Sequence, residues 1–430
     1  MTKTKCAWSR NVQCLPVRMS LYSLIGQYDT LPVVQLRYSF RLDPTPGQRI
    51  ALSRAFGCAR VVFNDAIATR RTAYLAGEKV PTDAALSKAL TEAKKIPERE
   101  WLNEVSAPVL QQALADANRA SRNFFDSLSG KRKGRKVGAP RFRSRRNSKQ
   151  SIRFTANAHF RVLDNGCLRL PKIGEVPVRW SRVLPSTPSS VTVILDAAGR
   201  YHASFVVKVG ERELPTTESQ VGIDLGLTDF AVLSDGTKIP APRLGRKAAA
   251  KLRTAQKELA RRQKGSANRA KSVRKVAKAH ARVGDTRRDW LHKLSTTIIR
   301  ENQAVYVEDL AVSSLARTRL ARSVLDAGWA KFAMMLEYKA KLHGRTFGKV
   351  NRWFPSTRMC SECGVIGEKK PLSVRSWTCM CGAAHDRDVN AARNILAAGR
   401  ADSPTPVETM SDFGLPEQLS MKQEPAGNAA

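Results

Sequence analysis

The chain has 430 residues and a net charge of +37, because 74 lysines and arginines stand against 37 aspartates and glutamates. Its length is enough for two or three domains with a sizeable core, and its charge favours nucleic acid as the partner. A membrane surface is the competing partner. The sequence has no apolar run of about 18 residues and no signal-peptide pattern, so membrane association is not predicted. With eight cysteines and no secretory signal, the chain is expected in a reducing compartment, where clustered cysteines bind metal.

The first predicted element is a strand over Val34–Leu42, where apolar and polar residues alternate as they do in a half-buried strand. Pro44 and Pro46 end this strand. The residues before it, 1–33, are predicted to form an irregular N-terminal extension.

A helical insertion is predicted next. Apolar residues recur at helical spacing over Gln48–Thr72 and again over Val109–Leu128. From 131 to 149 the chain has ten lysines and arginines and no acid, which predicts a phosphate-contacting loop rather than a packed element. Phe142, set between arginines, is a candidate for stacking on a base. The alternative is a basic loop that is merely solvated.

Strand patterns return after residue 150. Asp164-Asn-Gly166 marks one hairpin turn, and Val191–Leu195 with Tyr201–Val209 predicts a second hairpin. We therefore predict one β-module that the helical insertion interrupts, followed by a polar linker.

Short apolar strands then alternate with long basic helices. Val221–Leu225, Asp229–Leu233 and Gln303–Leu310 are predicted strands. Residues 241–300 carry 19 lysines and arginines against three acids, which predicts two helices, broken near Gly265, with a cationic face for a nucleic-acid backbone. A charged surface helix pair without a ligand is the alternative.

Three acids far apart in the sequence are candidate metal ligands. Asp224 and Glu308 each end an apolar strand, and Asp388 lies in the first turn of an Ala-rich helix that Asp386 is predicted to cap. Carboxylates that converge from rigid elements can hold two Mg²⁺ ions about 4 Å apart for phosphodiester hydrolysis. Taken alone, Asp224 or Asp388 is better explained as an ordinary strand-end or capping residue. Glu308 is preferred to Asp309, although strand parity alone does not choose the inward face; Asp229, Asp235 and Asp309 are expected to be turn or surface residues.

Four cysteines precede that helix with the spacing of a structural zinc site: Cys360-x-x-Cys363 and Cys379-x-Cys381, separated by 15 residues. The second pair is one residue shorter than the usual C-x-x-C, so His385 is an alternative ligand. The remaining cysteines have no such spacing and are expected to be ordinary thiols: Cys6, Cys14, Cys58 and Cys167.

The chain resembles TnpB, the OrfB-type protein of insertion sequences and the compact relative of type V CRISPR effector nucleases. The resemblance covers roughly residues 34–400, and it departs from the family pattern in the short second cysteine pair and the N-terminal extension. It rests on motifs in the family's order: Arg37-Tyr-Ser-Phe-Arg-Leu-Asp-Pro-Thr-Pro-Gly-Gln48, Arg60-Val-Val-Phe-Asn64, Gly222-Ile-Asp-Leu-Gly226, Lys264-Gly-Ser-Ala-Asn-Arg269, Val307-Glu-Asp-Leu310, Pro355-Ser-Thr-Arg-Met-Cys-Ser-Glu-Cys-Gly364 and His385-Asp-Arg-Asp-Val-Asn-Ala-Ala-Arg-Asn-Ile395.

The resemblance implies an α/β plus β architecture: a RuvC-like nuclease domain of the RNase H fold with a zinc-ribbon insert, preceded by a β-barrel-like module that a helical insertion interrupts. The family's catalytic, Mg²⁺-binding acids map onto Asp224, Glu308 and Asp388. The predicted domain bounds are 1–33 for the extension, 34–43 and 150–215 for the β-module, 44–149 for the helical recognition insertion, 221–355 for the nuclease domain, 356–384 for the zinc-binding insert, 385–400 for the last nuclease helix and 401–430 for a disordered tail.

The resemblance also implies the activity and the partners. A guide RNA transcribed from the element's own end would pair with one strand of double-stranded target DNA beside a short motif that the protein reads, and the single nuclease site would cut both strands in turn. One protein for each RNA is expected, in the bacterial cytoplasm and on the nucleoid when bound to DNA. The alternatives are a nuclease-inactive RNA-guided DNA-binding regulator, which loss of one acid would favour, and a DNA transposase, which needs a strand-joining activity.

Overall fold

The computed structural model describes residues 34–145, 149–371 and 373–402. The predicted N-terminal extension and the predicted tail beyond residue 402 lie outside the described residues. None of the helices in the described ranges combines the length and the apolar character needed to cross a membrane.

The first half of the described chain consists of seven strands and a group of helices inserted between the first two strands. The strands are β1 (Val34–Leu42), β2 (Gln150–Thr155), β3 (Arg161–Val162), β4 (Cys167–Leu170), β5 (Gly174–Arg179), β6 (Ser190–Leu195) and β7 (Tyr201–Val209). The helices are α1 (Pro46–Leu75), α2 (Asp83–Ala93) and α3 (Ala107–Leu128), with a 3₁₀ helix over Pro97–Glu104.

The seven strands form one sheet in the order β2-β6-β7-β1-β5-β4-β3. The predicted strand over Val34–Leu42 is confirmed as β1, which pairs with β7 along its whole length and with β5 at its end. Both predicted hairpins are confirmed as β3–β4 and β6–β7. Strands β2 and β3 are the two edges of this order and are not paired with each other in the described chain.

The inserted helices begin with a capping box. The hydroxyl of Thr45 accepts a hydrogen bond from the Gln48 backbone N–H at 3.3 Å, and the Gln48 side chain accepts one from the Thr45 N–H at 3.0 Å. This cap starts α1 at Pro46, two residues before the predicted start. The apolar faces of α1 and α3 pack together around buried residues such as Leu52 and Leu110.

The basic loop has no regular structure between residues 131 and 145, as its charge predicts, but α1 fixes it in place. The Asn64 side chain donates to the Arg143 carbonyl at 2.9 Å and accepts from the Arg143 N–H at 2.8 Å. The Arg143 guanidinium stacks over the Phe63 ring, 3.7 Å from its centre. Phe142 next to it is 53 % exposed, so its ring is accessible for the predicted stacking.

The second half of the described chain contains the five-stranded sheet, a two-stranded hairpin and six helices. The strands are β8 (Gln220–Asp224), β9 (Asp229–Leu233), β10 (Lys238–Pro240), β11 (Ala304–Glu308), β12 (Thr346–Val350), β13 (Ser376–Thr378) and β14 (Ala384–Asp386). The helices are α4 (Leu244–Ala260), α5 (Ala267–Glu301), α6 (Val312–Leu315), α7 (Ala321–Ala327), α8 (Trp329–Leu342) and α9 (Arg387–Asp402).

The five-stranded sheet has the order β10-β9-β8-β11-β12. Strand β8 pairs antiparallel with β9 and parallel with β11, and β11 pairs parallel with β12. All three strands predicted in this region are confirmed as β8, β9 and β11. Helices α5 and α8 cover one face of the sheet and α9 covers the other, so the short apolar strands are buried on both faces.

Two glycines let α9 lie directly on the sheet. A Cβ atom at Gly222 in β8 would lie 2.1 Å from the Ala392 carbonyl oxygen and 2.5 Å from the Leu396 nitrogen. A Cβ atom at Gly399 in α9 would lie 2.2 Å from the Tyr306 ring in β11. The absence of both side chains brings the helix backbone into contact with β8 and β11.

We expect Gly222→Ala to destabilise the fold by about 1–3 kcal/mol, the usual cost of forcing extra atoms into a packed core, because the new methyl group meets rigid backbone atoms of α9. Urea unfolding of the purified protein measures this. Gly284→Ala in α5 is the matched control, since nothing lies within 4 Å of its added Cβ. Alanine there is expected to leave stability unchanged or to raise it slightly. Equal unfolding midpoints for the two variants would contradict the close approach of α9 to β8 at Gly222.

Candidate active site

Two of the predicted acids end neighbouring parallel strands. Asp224 is the last residue of β8 and Glu308 is the last residue of β11. The register pairs Val307 with Ile223, so Glu308 and Asp224 lie side by side one step further along, on strands about 4.8 Å apart. The carboxyl ends of parallel strands meet at one edge of the sheet, and this edge carries both acids.

The position of α9 decides which face these acids occupy. Val307 belongs to the core beneath α5 and α8, whereas Tyr306 belongs to the small core beneath α9. Because side chains alternate along a strand, Glu308 shares the α9 face with Tyr306. By the same alternation Asp224 shares that face with Gly222, on which α9 rests. The structure therefore supplies the choice of face that strand parity alone left open.

Asp388 reaches the same place from the start of α9. The Asp386 carboxylate accepts hydrogen bonds from the backbone N–H groups of Asp388 and Val389, both at 3.1 Å, which confirms the predicted cap. The other Asp386 oxygen accepts from the Lys238 ammonium of β10 at 2.6 Å. This lysine, which sequence reasoning missed, holds the capping residue and thereby fixes the first turn on which Asp388 stands.

The pKa of Asp224 shows that the three carboxylates share one environment. Burial, followed by the negative charges of Glu308 and Asp388, raises this pKa to about 7, while the positive charge of Arg387 opposes the rise. The pKa of Glu308 is also raised, by burial and then by Asp309. Three converging carboxylates repel one another, and a hard divalent cation with oxygen ligands is the group that offsets such repulsion. The donor set therefore fits Mg²⁺.

An arginine that sequence reasoning missed also contacts the third acid. The Arg375 guanidinium lies 3.2 and 3.4 Å from the two Asp388 carboxylate oxygens. The Arg375 carbonyl accepts a hydrogen bond from the Arg387 N–H at 2.8 Å, which ties the segment before β13 to the start of α9. In the sequence, Arg375 is marked only by its position four residues before Cys379, and that spacing does not show that it contacts Asp388.

The acids that sequence reasoning set aside occupy surface positions. Asp309 forms an ion pair with Arg352 and is partly exposed. Asp235 accepts a hydrogen bond from the Thr237 N–H at 2.8 Å within a turn. Both agree with the prediction of turn or surface residues.

The four cysteines lie together. Their sulfur atoms are all within 4.8 Å of one another, with Cys360 and Cys381 3.8 Å apart and Cys363 and Cys379 3.6 Å apart. A tetrahedral zinc ion with Zn–S bonds of about 2.3 Å requires sulfur atoms about 3.8 Å apart. The donor set fits Zn²⁺, because the short second pair, Cys379 and Cys381, places its sulfur atoms next to those of Cys360 and Cys363.

Two tight turns build this cluster. The Gly364 N–H bonds the Cys360 carbonyl at 3.0 Å, and the Gly382 N–H bonds the Cys379 carbonyl at 2.9 Å. Both glycines have the positive φ angles that such turns require, +74° and +87°. The second turn joins β13 to β14, so the hairpin itself brings Cys379 and Cys381 together.

His385, the alternative ligand, contacts the cluster. Its Nε2 lies 3.0 Å from the Cys360 sulfur, and its ring packs against Trp377. Burial opposes ionisation of Cys360, but the backbone N–H groups of Cys363 and Glu362, together with His385, lower its pKa to about 6. The four sulfurs already supply the four ligands that a structural zinc ion takes, so we interpret His385 as a hydrogen-bonding neighbour of the Cys360 thiolate.

Asn390 and Asn394 stand one turn apart on α9, just after Asp388, but their side chains bond the chain before the cysteines rather than the acids. Both are almost fully buried, and both donate to the Ser356 and Met359 carbonyls at distances from 2.7 to 3.4 Å. Asn390 also accepts from the Ser361 N–H at 2.9 Å. They fasten the segment before the cysteines to α9.

Together these features define a class of protein in which a mixed sheet carries three acids at one edge and a cysteine cluster lies beside them. The same overall fold is present in the Cas12f1–sgRNA–target DNA complex, where the match has a TM-score of 0.51 at 14% identity and covers 81% of this chain and 82% of that chain.

The sequence comparisons then give the family. The IS605 OrfB model described as "Probable transposase" matches residues 204–319, the "Cas12f1-like, TNB domain" model matches 329–395, and a "Helix-turn-helix domain" model matches 34–79, where this structure has β1 and the single helix α1. A Streptomyces pristinaespiralis protein named "Putative RNA-guided DNA endonuclease" is 44% identical, over 91% of this chain and 96% of the relative. A relative of the same description from Escherichia coli (strain K12) is 32% identical, over 85% and 92%. The chain belongs to the OrfB-type TnpB family.

Proposed function

We propose that this chain is an RNA-guided DNA endonuclease of a transposable element, with a guide RNA and double-stranded DNA as its partners. The observation that carries the proposal is the convergence of Asp224, Glu308 and Asp388 on one face of the sheet. The relatives that match nearly the whole chain carry this activity in their names. All three acids are present, so the inactive-regulator alternative has no support in the site.

The fold assignment belongs to the same proposal. The five-stranded sheet, with its antiparallel β8–β9–β10 meander and parallel β11 and β12, supports a RuvC-like domain of the RNase H fold over 221–355. The cysteine hairpin supports a zinc-ribbon insert over 356–384. The helix proposed for 385–400 extends to Asp402 in the structure.

In the mechanism that this site supports, the three carboxylates would hold Mg²⁺. Bound divalent ions supply an activated water and charge stabilisation of the leaving oxygen. The chain contributes rigid placement, because two ligands stand on strand ends and one on a capped helix. Arg375 contributes a positive charge beside Asp388, where it can contact a phosphate oxygen of the cut strand. Zn²⁺ on the four cysteines would support the hairpin that follows Arg375 and would take no part in the chemistry.

The helix pair α4–α5 is the proposed surface for the nucleic-acid backbone. Residues 241–300 have a large excess of basic side chains, and α4 has no fully buried residue. Gly265, with a φ of +89°, lies in the turn between the two helices, as predicted. Together with the basic loop, this pair predicts binding that weakens steeply with salt.

A supercoiled-plasmid assay tests the proposed function. The plasmid carries a target matched to the RNA that co-purifies with the protein, and Mg²⁺ is present. We expect linear product only when the RNA is retained. Binding without cutting would support the regulator instead, and joined products would support a transposase.

The raised pKa of Asp224 predicts a pH-dependent stability. Between pH 4 and 7 the unfolded chain has already lost this proton, because its ordinary pKa is 3.8, whereas the folded Mg²⁺-free protein retains it. Stability without Mg²⁺ is therefore expected to fall as the pH rises through this window. Mg²⁺ is expected to restore it, because the cation stabilises the ionised carboxylates.

Thermal melts with and without Mg²⁺ at pH 5 and pH 8 measure this effect. The rise in Tm on adding Mg²⁺ is expected to be larger at pH 8. Asp224→Asn is the control and is expected to lose most of the pH dependence. A Mg²⁺ effect that is the same at both pH values in the unmodified protein would contradict the prediction.

A further inference from the structure

Trp353 has an exposure that the fold does not explain. Its side chain is 85 % exposed, more than any other aromatic residue among those the structure describes. A tryptophan buries a large apolar surface when it is used for packing, so this solvated indole leaves its whole aromatic face available to a ligand.

The segment around Trp353 holds the indole outward in a defined position. The Asn351 side chain accepts a hydrogen bond from the Trp353 N–H at 2.9 Å, and the Asn351 carbonyl accepts one from the Phe354 N–H at 2.9 Å. Phe354 packs into the small core beneath α9. The Ser356 carbonyl is held by the two buried asparagines of α9. The turn is therefore anchored on both sides, and its exposed tryptophan is not the product of a loose loop.

This turn lies at the edge of the sheet that carries the acids. It follows β12 directly, and the last residue of β12, Val350, is the register partner of Glu308. Trp353 is three residues further on, so its Cα lies within about 11 Å of the Val350 Cα. A nucleotide whose backbone reaches the carboxylates can present its base at this distance.

The surroundings of Trp353 favour a nucleic-acid ligand over a protein partner. The residues on its N-terminal side, Asn351 and Arg352, are polar and exposed, so the indole does not belong to a continuous apolar patch. An exposed aromatic ring beside an arginine is an arrangement found where unpaired bases bind by stacking, and Arg352, which pairs with Asp309, is the adjacent cation. The excess of positive charge on the whole chain points the same way.

We propose that Trp353 stacks on an unpaired base of the DNA strand that the three acids cut. This inference rests on the proposed nuclease function and adds a binding residue to that site. The ring would position the strand beside Asp224, Glu308 and Asp388, without reading its sequence, because every base offers a face for stacking.

A fluorescence titration tests the stacking without depending on cleavage. The protein is the full chain with its co-purified RNA, in an Asp224→Asn background that prevents cutting. The probe is a single-stranded thymidine octanucleotide, and an abasic oligonucleotide of equal length is the matched control for phosphate binding. Stacking quenches the tryptophan signal, so we expect base-dependent quenching that Trp353→Ala abolishes, together with about 5- to 100-fold weaker octanucleotide binding. Trp353→Phe is expected to keep most of the affinity, and the abasic probe is expected to bind all three proteins equally.

Cleavage of the matched plasmid supplies the second measurement. With Asp224 intact, Trp353→Ala is expected to slow cutting while Trp353→Phe restores it. Equal base-dependent binding by Trp353→Ala and the unmodified protein would overturn the inference, and so would sedimentation showing that the substitution instead dissolves a dimer. If the unmodified protein stacks the octanucleotide but never cuts, the proposed nuclease function fails and the stacking site stands.

Discussion

Asp224→Ala is expected to reduce DNA cleavage to background while RNA and DNA binding stay intact. Asp224 is the acid whose pKa both of the other carboxylates raise, and its removal leaves two carboxylates where three converge. A two-ion site needs these ligands to place both the water and the leaving oxygen. The surfaces proposed to bind the nucleic-acid backbone are the basic loop and α4–α5, which the substitution does not touch.

The same substitution is expected to stabilise the Mg²⁺-free protein. Burial and two neighbouring carboxylates raise the pKa of Asp224 to about 7, which means that its charged form is unfavourable in the fold. A variant that melts higher and yet does not cut has lost a ligand and not its structure. The experiment therefore pairs thermal melting with plasmid cleavage and with binding by gel shift.

Glu308→Ala and Asp309→Ala form a matched pair that tests the face assignment. The two residues are adjacent, but alternation puts Glu308 on the α9 face, and Asp309 forms its ion pair with Arg352 at the surface. We expect the first variant to stop cutting and the second to cut. Cleavage by a purified Asp224→Ala complex in Mg²⁺, or loss of cleavage only in Asp309→Ala, would show that the acids are wrongly assigned.

Sequence reasoning found the elements of this site because each has a local signal. The acids follow apolar strand patterns, and the cysteines have a metal-ligand spacing. It could not choose the face of β11, because that choice depends on α9, which lies about eighty residues further along the chain. The local sequence pattern shows which residues of a strand share a face, but not which element of the fold covers that face.

The contacts that sequence reasoning missed are those between distant residues. Lys238 and Asp386 are 148 positions apart, and nothing near either residue marks the pair. The two asparagines of α9 look like site residues because they are polar and stand beside Asp388, yet the fold buries them against carbonyls 31 to 38 positions away. An exposed and a buried asparagine have the same local sequence signal, so burial had to come from the structure.

Loss of zinc is expected to abolish cleavage even though no cysteine belongs to the acid site. Asn390 bonds the Ser361 N–H, next to the buried Cys360, so the cluster and α9 share an anchor. Arg375 precedes the hairpin that carries Cys379 and Cys381, and it contacts Asp388. Structural zinc in small domains contributes about 10–16 kcal/mol of binding energy to folding, so its removal releases both anchors.

Cys360→Ala and Cys381→Ala are therefore expected to contain much less than one zinc per chain and to lose cleavage, while RNA binding persists. Zinc content is measured by mass spectrometry of the purified complex. Cys167→Ala in β4 is the matched control, because its thiol lies outside the cluster, and it is expected to keep both zinc and cleavage.

His385→Ala decides how the short cysteine pair is completed. Because the four sulfurs already have tetrahedral spacing, this variant is expected to retain zinc with about 10- to 100-fold weaker affinity, the effect of removing a hydrogen-bonding neighbour of a ligand. A competition titration with a chromogenic chelator measures that affinity. If His385→Ala loses its zinc while Cys381→Ala keeps one ion per chain, the histidine is the fourth ligand and the shortened turn supplies one sulfur only.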